Sequence, residues 1–225
     1  MTKSSPTPRS PHVIILNGGP PPSPRIRSLL ASPAFVIGVD SGYAHADLLS
    51  LRCDELIGDF DSLDERSLAR AYAAGVVVTR FDTAKDATDL ELAMNRAHEL
   101  NAQAITVVCG VGWDNRFDHL AAQLGLLASP SYANVRITAW FGETFVAAVH
   151  DGGSLTVPGR PGQTISLLAV GSELTGVTTT GLRYPLHDEN LSPYSTRSIS
   201  NEFDHSEARI SIRSGALLVI VPDAL

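Results

Sequence analysis

Between residues 58 and 119 the chain collects carboxylates, cations and glycines into three short clusters. The first is Gly58-Asp59-Phe60-Asp61-Ser62. In extended chain Asp59 and Asp61 project to the same side. Two carboxylates held that close repel unless a cation lies between them, and hard oxygen ligands suit Mg²⁺. Gly58 gives the backbone room to approach a phosphate. The same stretch also reads as a polar loop in which Asp61 or Ser62 caps the next helix.

The second cluster, Lys85-Asp86-Ala87-Thr88-Asp89, opens a helical pattern. Asp86 and Asp89 stand at i and i+3, neighbours on one helical face. Lys85 can pair with a phosphate oxygen, and a helix N-terminus favours anions. The alternative is structural: Asp86 as N-cap, with Asp89 completing a capping-box-like start. The third cluster is Gly110-Val111-Gly112-Trp113-Asp114-Asn115-Arg116-Phe117-Asp118-His119. Its glycines free backbone N–H groups for phosphates, and Arg116 offers a planar, permanently charged fork. Asp118 reads as a further metal ligand or a helix cap, and His119 as a structural hydrogen-bonding residue. No Gly-x-x-x-x-Gly-Lys-Ser/Thr element and no Gly-x-Gly-x-x-Gly spacing occurs, so neither a P-loop nor a dinucleotide fold is expected.

Such residues need a scaffold. His12–Leu16, Phe35–Val39, Glu55–Ile57, Val76–Thr79, Ile105–Cys109 and Val135–Trp140 read as short strands. The stretches 43–51, 65–73, 86–100 and 118–128 read as helices. In the third, Leu90, Ala93, Met94, Ala97 and Leu100 follow the spacing of one buried face. Alternating strands and helices predict an α/β region with a mostly parallel sheet flanked by helices. The clusters then fall at the carboxyl ends of strands, where open α/β sheets bind ligands.

After Gly142 the texture changes. Runs at 144–149, 154–157, 164–170, 174–180, 209–213 and 216–221 alternate, separated by turn signals such as Asp151-Gly152-Gly153, Pro158-Gly159 and Ser214-Gly215. They predict a small antiparallel β-sandwich over 143–225. Residues 12–142 form the expected α/β domain, and 1–11 read as a flexible tail without the apolar segment of a secretion signal.

The bulk composition narrows the function. A formal charge of −7 speaks against a nucleic-acid partner. Cys53 and Cys109 read as reduced, buried thiols of a cytoplasmic protein. No apolar run approaches the roughly 20 residues of a membrane span.

Asp40-Ser41-Gly42, Gly58-Asp59-Phe60-Asp61-Ser62, Lys85-Asp86-Ala87-Thr88-Asp89 and Arg116-Phe117-Asp118-His119, in that order and spacing, resemble the thiamin pyrophosphokinase family. Gly181-Leu182-Arg183-Tyr184-Pro185-Leu186 and Ser198-Ile199-Ser200-Asn201 are similar to that family's later motifs. The resemblance implies an α/β catalytic domain, a β-sandwich domain, and a homodimer with thiamin at a site shared between subunits. It implies that Asp59, Asp61, Asp86 and Asp89 hold magnesium and the ATP triphosphate, with Asp118 at the edge. Lys85 and Arg116 hold phosphates, and Gly58, Thr88 and Asp40 line the same pocket. Tyr184, Ser200 and Asn201 lie near the thiamin rings, where Tyr184 can stack on a cationic thiazolium.

The implied reaction is attack of the thiamin hydroxyl on the β-phosphorus of ATP with AMP leaving, Asp89 being the candidate proton acceptor. Two departures stand out: Asp114-Asn115 where the family usually carries Gly-Gly, and the stiff Pro20-Pro21-Pro22-Ser23-Pro24 after Asn17-Gly18-Gly19. Either reads as a shifted nucleotide preference or an altered acceptor. The rival readings are a pyrophosphokinase for another hydroxymethyl heterocycle such as a pterin, and a catalytically silent thiamin or nucleotide sensor.

Overall fold

The computed structural model describes residues 12–61, 63–110 and 116–225. The chain divides into two compact units, Met1–Gly112 with Trp140–Gly142, and Trp113–Ala139 with Glu143–Leu225.

In chain order the first unit contains β1 (His12–Leu16), β2 (Phe35–Val39), α1 (Tyr43–Leu48), β3 (Glu55–Gly58), α2 (Glu65–Ala73), β4 (Val77–Arg80), α3 (Asp89–Glu99) and β5 (Ala104–Cys109). The five strands are parallel in the order β4-β3-β2-β1-β5. Every residue of β2, β3 and β5 is buried, as parallel strands covered on both faces require. At the outer strand β4, Val77 and Arg80 are exposed. Helix α3 buries Leu90, Ala93, Met94 and Ala97 and packs on β1, β2 and β3. Successive strands step outward from β1 to β4, and β5 then returns to the other side of β1. The order therefore reverses between β1 and β5.

Two helices are shorter than their sequence patterns. Helix α1 stops at Leu48 because the chain turns left-handed at Ser50 (φ 49°). Helix α3 starts at Asp89 because Thr88 takes the N-cap, its hydroxyl accepting the Glu91 N–H at 3.3 Å.

The second unit carries α4 (Phe117–Leu127), most of β6 (Arg136–Phe141), β7 (Thr144–His150), β8 (Ser154–Pro158) and β9 (Thr164–Thr180). It continues with β10 (Glu189–Leu191), β11 (Asn201–Glu202), β12 (Glu207–Ser211) and β13 (Ser214–Val221). The runs expected at 164–170 and 174–180 are one 17-residue strand, β9. It bends where Gly171 and Gly176 take φ of 77° and 66°, conformations an L side chain resists. The bend lets one strand serve two sheets: residues 166–170 pair with β13, and 178–180 pair with β12. Strand β13 also pairs with β7, and β12 with β8, all antiparallel. Val149, Val157, Ile165, Leu167, Phe203, Ile210, Leu217 and Val219 belong to the core so enclosed.

Candidate active site

Asp40 follows β2 with φ 46°, a left-handed conformation that Asp tolerates better than most residues. Its Oδ1 accepts the N–H of Phe60 at 3.2 Å. A Cβ on Gly58 would stand 1.8 Å from that oxygen, so the glycine makes room for the Asp40 carboxylate. The sequence had suggested room for a phosphate instead. Burial, then the charge of Asp89, push the Asp40 carboxyl up to about 6; Asp59 and Asp61 add to this and the Phe60 N–H opposes it.

Phe60 is itself left-handed (φ 65°), which breaks the extended geometry expected for 59–61. Asp59 and Asp61 therefore do not share one side. Asp59 is largely covered while Asp61 is exposed, and the Asp61 N–H donates to Asp59 Oδ1 at 3.1 Å. Asp61 does not cap the next helix. Asp64 does so, accepting the Ser67 N–H at 2.9 Å, and Ser62 lies outside the described residues.

Lys85 joins the two clusters. Its Nζ is 3.1 Å from Asp59 Oδ2 and 3.1 Å from Asp89 Oδ1, with the three side chains only 13–17% exposed. Burial works against the ammonium, but the two carboxylates outweigh it and raise its pKa. The Asp61 N–H first and Lys85 second hold Asp59 below the usual carboxylate range. Toward Asp89 the same ammonium makes an ion pair of equal length at Oδ1, and hydrogen bonding to both carboxylates contributes to the raised Lys85 pKa. Asp86 precedes the N-cap and is exposed, so it shares no helical face with Asp89 and caps nothing.

Hard carboxylate oxygens are the donors Mg²⁺ prefers, and Asp59 and Asp89, already facing the Lys85 cation, are of that kind. Among the described residues, however, no group of three or more His, Cys, Asp or Glu is gathered to hold a metal ion. The protein thus offers separated carboxylates. That suits a cation carried on substrate phosphates, the usual manner of Mg²⁺.

The other expected site residues belong to the second unit. Arg116 is the N-cap residue of α4 and pairs with Asp118 at 3.2 Å, both side chains exposed. The His119 N–H first, with Arg116 assisting, lowers the Asp118 pKa. Trp113, Asp114 and Asn115 lie outside the described residues. Tyr184 is 60% exposed, with the Arg183 guanidinium 5.6 Å from its ring centroid. Asn201 is buried and its amide makes three hydrogen bonds. Oδ1 accepts the N–H groups of Tyr184 (3.1 Å) and Glu202 (2.8 Å), and Nδ2 donates to the Tyr184 carbonyl (2.8 Å). Asn201 therefore holds the Tyr184 backbone. Ser200 is left-handed (φ 58°), and its N–H donates to Ser166 Oγ at 3.0 Å.

Two contributors escaped the sequence reading. Glu55, buried in β3, receives Arg96 Nε at 3.0 and 3.1 Å and the Thr79 hydroxyl at 3.2 Å. This clamp fixes α3, and so Asp89, against the sheet. A glutamate inside an apolar strand is the signal that could have pointed to it. Arg80 stacks 5.0 Å from the ring centroid of Phe60, over the turn that carries Asp59 and Asp61. The sequence carries no local sign of that contact.

Residues 26–139 match the family described as thiamin pyrophosphokinase, catalytic domain, and residues 154–217 match thiamin pyrophosphokinase, vitamin B1 binding domain. The chain is 29% identical over 184 residues to the thiamine pyrophosphokinase of Bacillus subtilis, covering 82% of this chain and 85% of that protein. The crystal structure of the Bacillus subtilis enzyme superposes with a TM-score of 0.80 at 28% identity, covering 93% of this chain and 98% of that one. The thiamin pyrophosphokinase of Geobacillus thermodenitrificans gives a TM-score of 0.77 at 28% identity, covering 93% and 96%.

Proposed function

The chain belongs to the thiamin pyrophosphokinase family, and on that footing we propose how its own residues move a diphosphate group from ATP to thiamin. The observation that carries the reading is Lys85 held between Asp59 and Asp89, at the carboxyl side of a parallel sheet.

We divide the labour between a catalytic domain over 12–142 and a thiamin-binding domain over 143–225. The thiamin hydroxyl oxygen bonds to the β-phosphorus, the bond from that phosphorus to the oxygen bridging the α-phosphate breaks, and AMP leaves with the bridging oxygen. Negative charge spreads over the phosphoryl oxygens in the transition state, so alignment and fixed positive charge supply most of the acceleration. Lys85 and Arg116 meet phosphate oxygens. Asp59, Asp61, Asp86 and Asp89 would hold Mg²⁺ together with phosphate oxygens of the substrate, and the ion would neutralise phosphate charge. Asp118 and Thr88 sit at the edge of this group, and Asp40 with Gly58 supports the Asp59–Asp61 turn from beneath. Asp89 accepts the hydroxyl proton. Tyr184 offers its ring to the cationic thiazolium, Asn201 fixes the loop that presents it, and Ser200 lies near the thiamin rings.

We further propose a homodimer in which thiamin is shared with the partner subunit. Mixing an Asp59→Asn subunit with a Tyr184→Ala subunit then restores activity that neither has alone; no restoration in a verified mixed dimer argues against sharing. Two buried cysteines that form no disulfide support a cytoplasmic setting. Among the described residues no helix is long and apolar enough to cross a membrane.

The decisive experiment is product analysis with ATP, Mg²⁺ and thiamin. Thiamin diphosphate and AMP should form together and vanish in Asp59→Asn. A folded protein that forms neither, and instead modifies a pterin alcohol, would overturn the acceptor assignment.

A further inference from the structure

Glu55 is the first residue of β3 and Asp59 follows its last, so about 13 Å of strand separates them. Asp89 opens α3, and Arg96 lies about 10 Å further along the helix, two turns on and nearly on the same side. Strand and helix are thus joined at both ends. Lys85 links Asp59 to Asp89 at one end. At the other, Arg96 Nε donates to both Glu55 carboxylate oxygens, at 3.0 and 3.1 Å. The Thr79 hydroxyl of β4 donates to Glu55 Oε1 at 3.2 Å. Thr79 stands two residues beyond Val77, the strand neighbour of Glu55, so both side chains belong to the sheet face that α3 covers.

Between these ends the buried face of α3 is apolar, made by Leu90, Ala93, Met94 and Ala97. Apolar burial is non-directional and does not by itself distinguish a helix from the same helix shifted by one residue. Such a slip moves Asp89 by about 1.5 Å and turns it by about 100°, which takes its carboxylate away from Lys85. A charged hydrogen bond inside the fold permits one register only. Glu55 is 2% exposed. Burying an ion pair is costly, and apolar residues of similar volume commonly give equal or greater stability. Stability therefore does not account for a glutamate in the otherwise apolar strand Glu55-Leu56-Ile57-Gly58, whereas register does.

We propose that Glu55 and Arg96 are positioning residues for catalysis, which set the register of α3 along β3 and so deliver the Asp89 carboxylate to Lys85 opposite Asp59. They act through Asp89. The inference rests on the parts given to Asp89 and Lys85 in the function proposed above. It adds that the rate depends on an ion pair at the far end of the strand, which holding α3 on the sheet does not by itself require.

The test replaces the whole pair in the full chain. Glu55→Leu combined with Arg96→Met removes both charges, so neither is left stranded. The double variant should melt at or above the wild-type temperature, while kcat falls about 10- to 100-fold, the cost of misplacing a reacting group by about 1 Å. KM for ATP and for thiamin should stay within about threefold, since alignment and not substrate binding is lost. A second readout needs no turnover. The chain has two lysines, Lys3 and Lys85. The carboxylates beside Lys85 raise its pKa against the effect of burial. With Asp89 displaced that pKa falls, and each pH unit of fall raises the free-amine fraction about tenfold. Acetylation read by peptide mass spectrometry, with Lys3 as the reference, should therefore modify Lys85 several-fold faster in the double variant. If that variant does not fold, Arg96→Lys, which keeps the charge but loses the planar group, should show the same two changes with a kcat loss of about three- to tenfold. Wild-type behaviour in either readout overturns the inference, as does a loss of activity that only follows the folded fraction. A wild-type protein that forms no thiamin diphosphate overturns the acceptor reading instead, and the labelling comparison still decides whether the pair places Asp89.

Discussion

Asp40→Asn should make the metal-free protein more stable while impairing catalysis. The Asp40 carboxyl is carried from 3.8 to about 6, chiefly by burial and by the charge of Asp89. The difference is about two pH units, at about 1.4 kcal/mol each, or roughly 3 kcal/mol of cost to the folded state once the group is ionised. The carboxylate keeps some contact with water, so about 2 kcal/mol is the effect to expect. The direction is fixed by linkage. Below about pH 4 the group is neutral in both folded and unfolded chains and costs nothing. As the pH rises through about 6 the folded protein must ionise it beside Asp89, Asp59 and Asp61, and stability is lost.

An asparagine keeps an oxygen for the Phe60 N–H and carries no charge. In a chain of this size 2 kcal/mol corresponds to roughly 4–8 °C in Tm. Thermal melts in chelator, from about pH 4 to about pH 8, should show the variant and the wild type together at the acid end. They should separate through pH 4–6, with the variant higher and the gap constant above. A variant that melts below the wild type at neutral pH, or a gap of equal size at pH 4, would refute this account of the site's electrostatics. Mg²⁺ with ATP should narrow the gap, because added positive charge relieves the ionised wild-type carboxylate.

Three further outcomes follow from the same geometry. Gly58→Ala forces the Asp40 carboxylate off its seat and breaks its bond to Phe60, so stability should fall by about 2–4 kcal/mol in urea titrations, with turnover falling in parallel; a silent substitution would show that the seat is unimportant. Lys85→Met removes the cation between Asp59 and Asp89, so kcat should drop about 100- to 1,000-fold. Binding of Mg²⁺ alone, followed by calorimetry, should then strengthen; a loss of activity without that gain would mean that Lys85 does not compete with metal. Asn201→Ala removes three partly buried hydrogen bonds to the backbone of Tyr184 and Glu202, and a loss of about 1–3 kcal/mol with a raised KM for thiamin is expected; a thiamin KM unchanged beside a lowered Tm would confine Asn201 to folding.

The parts of the fold that repeat a simple period were open to reading from the sequence. The run Leu90–Ala97 shows one helical stripe, and β1, β2 and β5 are short apolar runs ended by polar or glycine residues, so each element carries its own signature. The β9 strand did not, because its bend at Gly171 and Gly176 looks in sequence like two strands and a turn. The site residues were recognisable by type and spacing, yet their local geometry was hidden by single backbone angles. The left-handed Phe60 separates Asp59 from Asp61, and the cap at Thr88 leaves Asp86 outside the helix. Spacing rules assume a regular backbone, and both rules applied here fail where the backbone departs from it.

Those departures have an electrostatic sense. Asp40, Asp59, Asp61, Asp86 and Asp89 could not all face one dry pocket, since each added like charge raises the cost of ionising the rest. The chain handles them one by one. Asp59 and Asp89 share the Lys85 ammonium, Asp40 takes the Phe60 N–H, and Asp61 and Asp86 are left to water. This dispersal explains why the described carboxylates do not gather as a ready metal cage although their chemistry suits Mg²⁺. A substrate that brings its own phosphate oxygens can supply the missing ligands, so a donor and its cation would bind as one unit. Affinity for the cation alone should then be low, and a bound nucleotide should raise it; calorimetry with Mg²⁺ alone and with Mg²⁺ plus a non-hydrolysable ATP analogue checks this, and tight binding of Mg²⁺ alone would refute it.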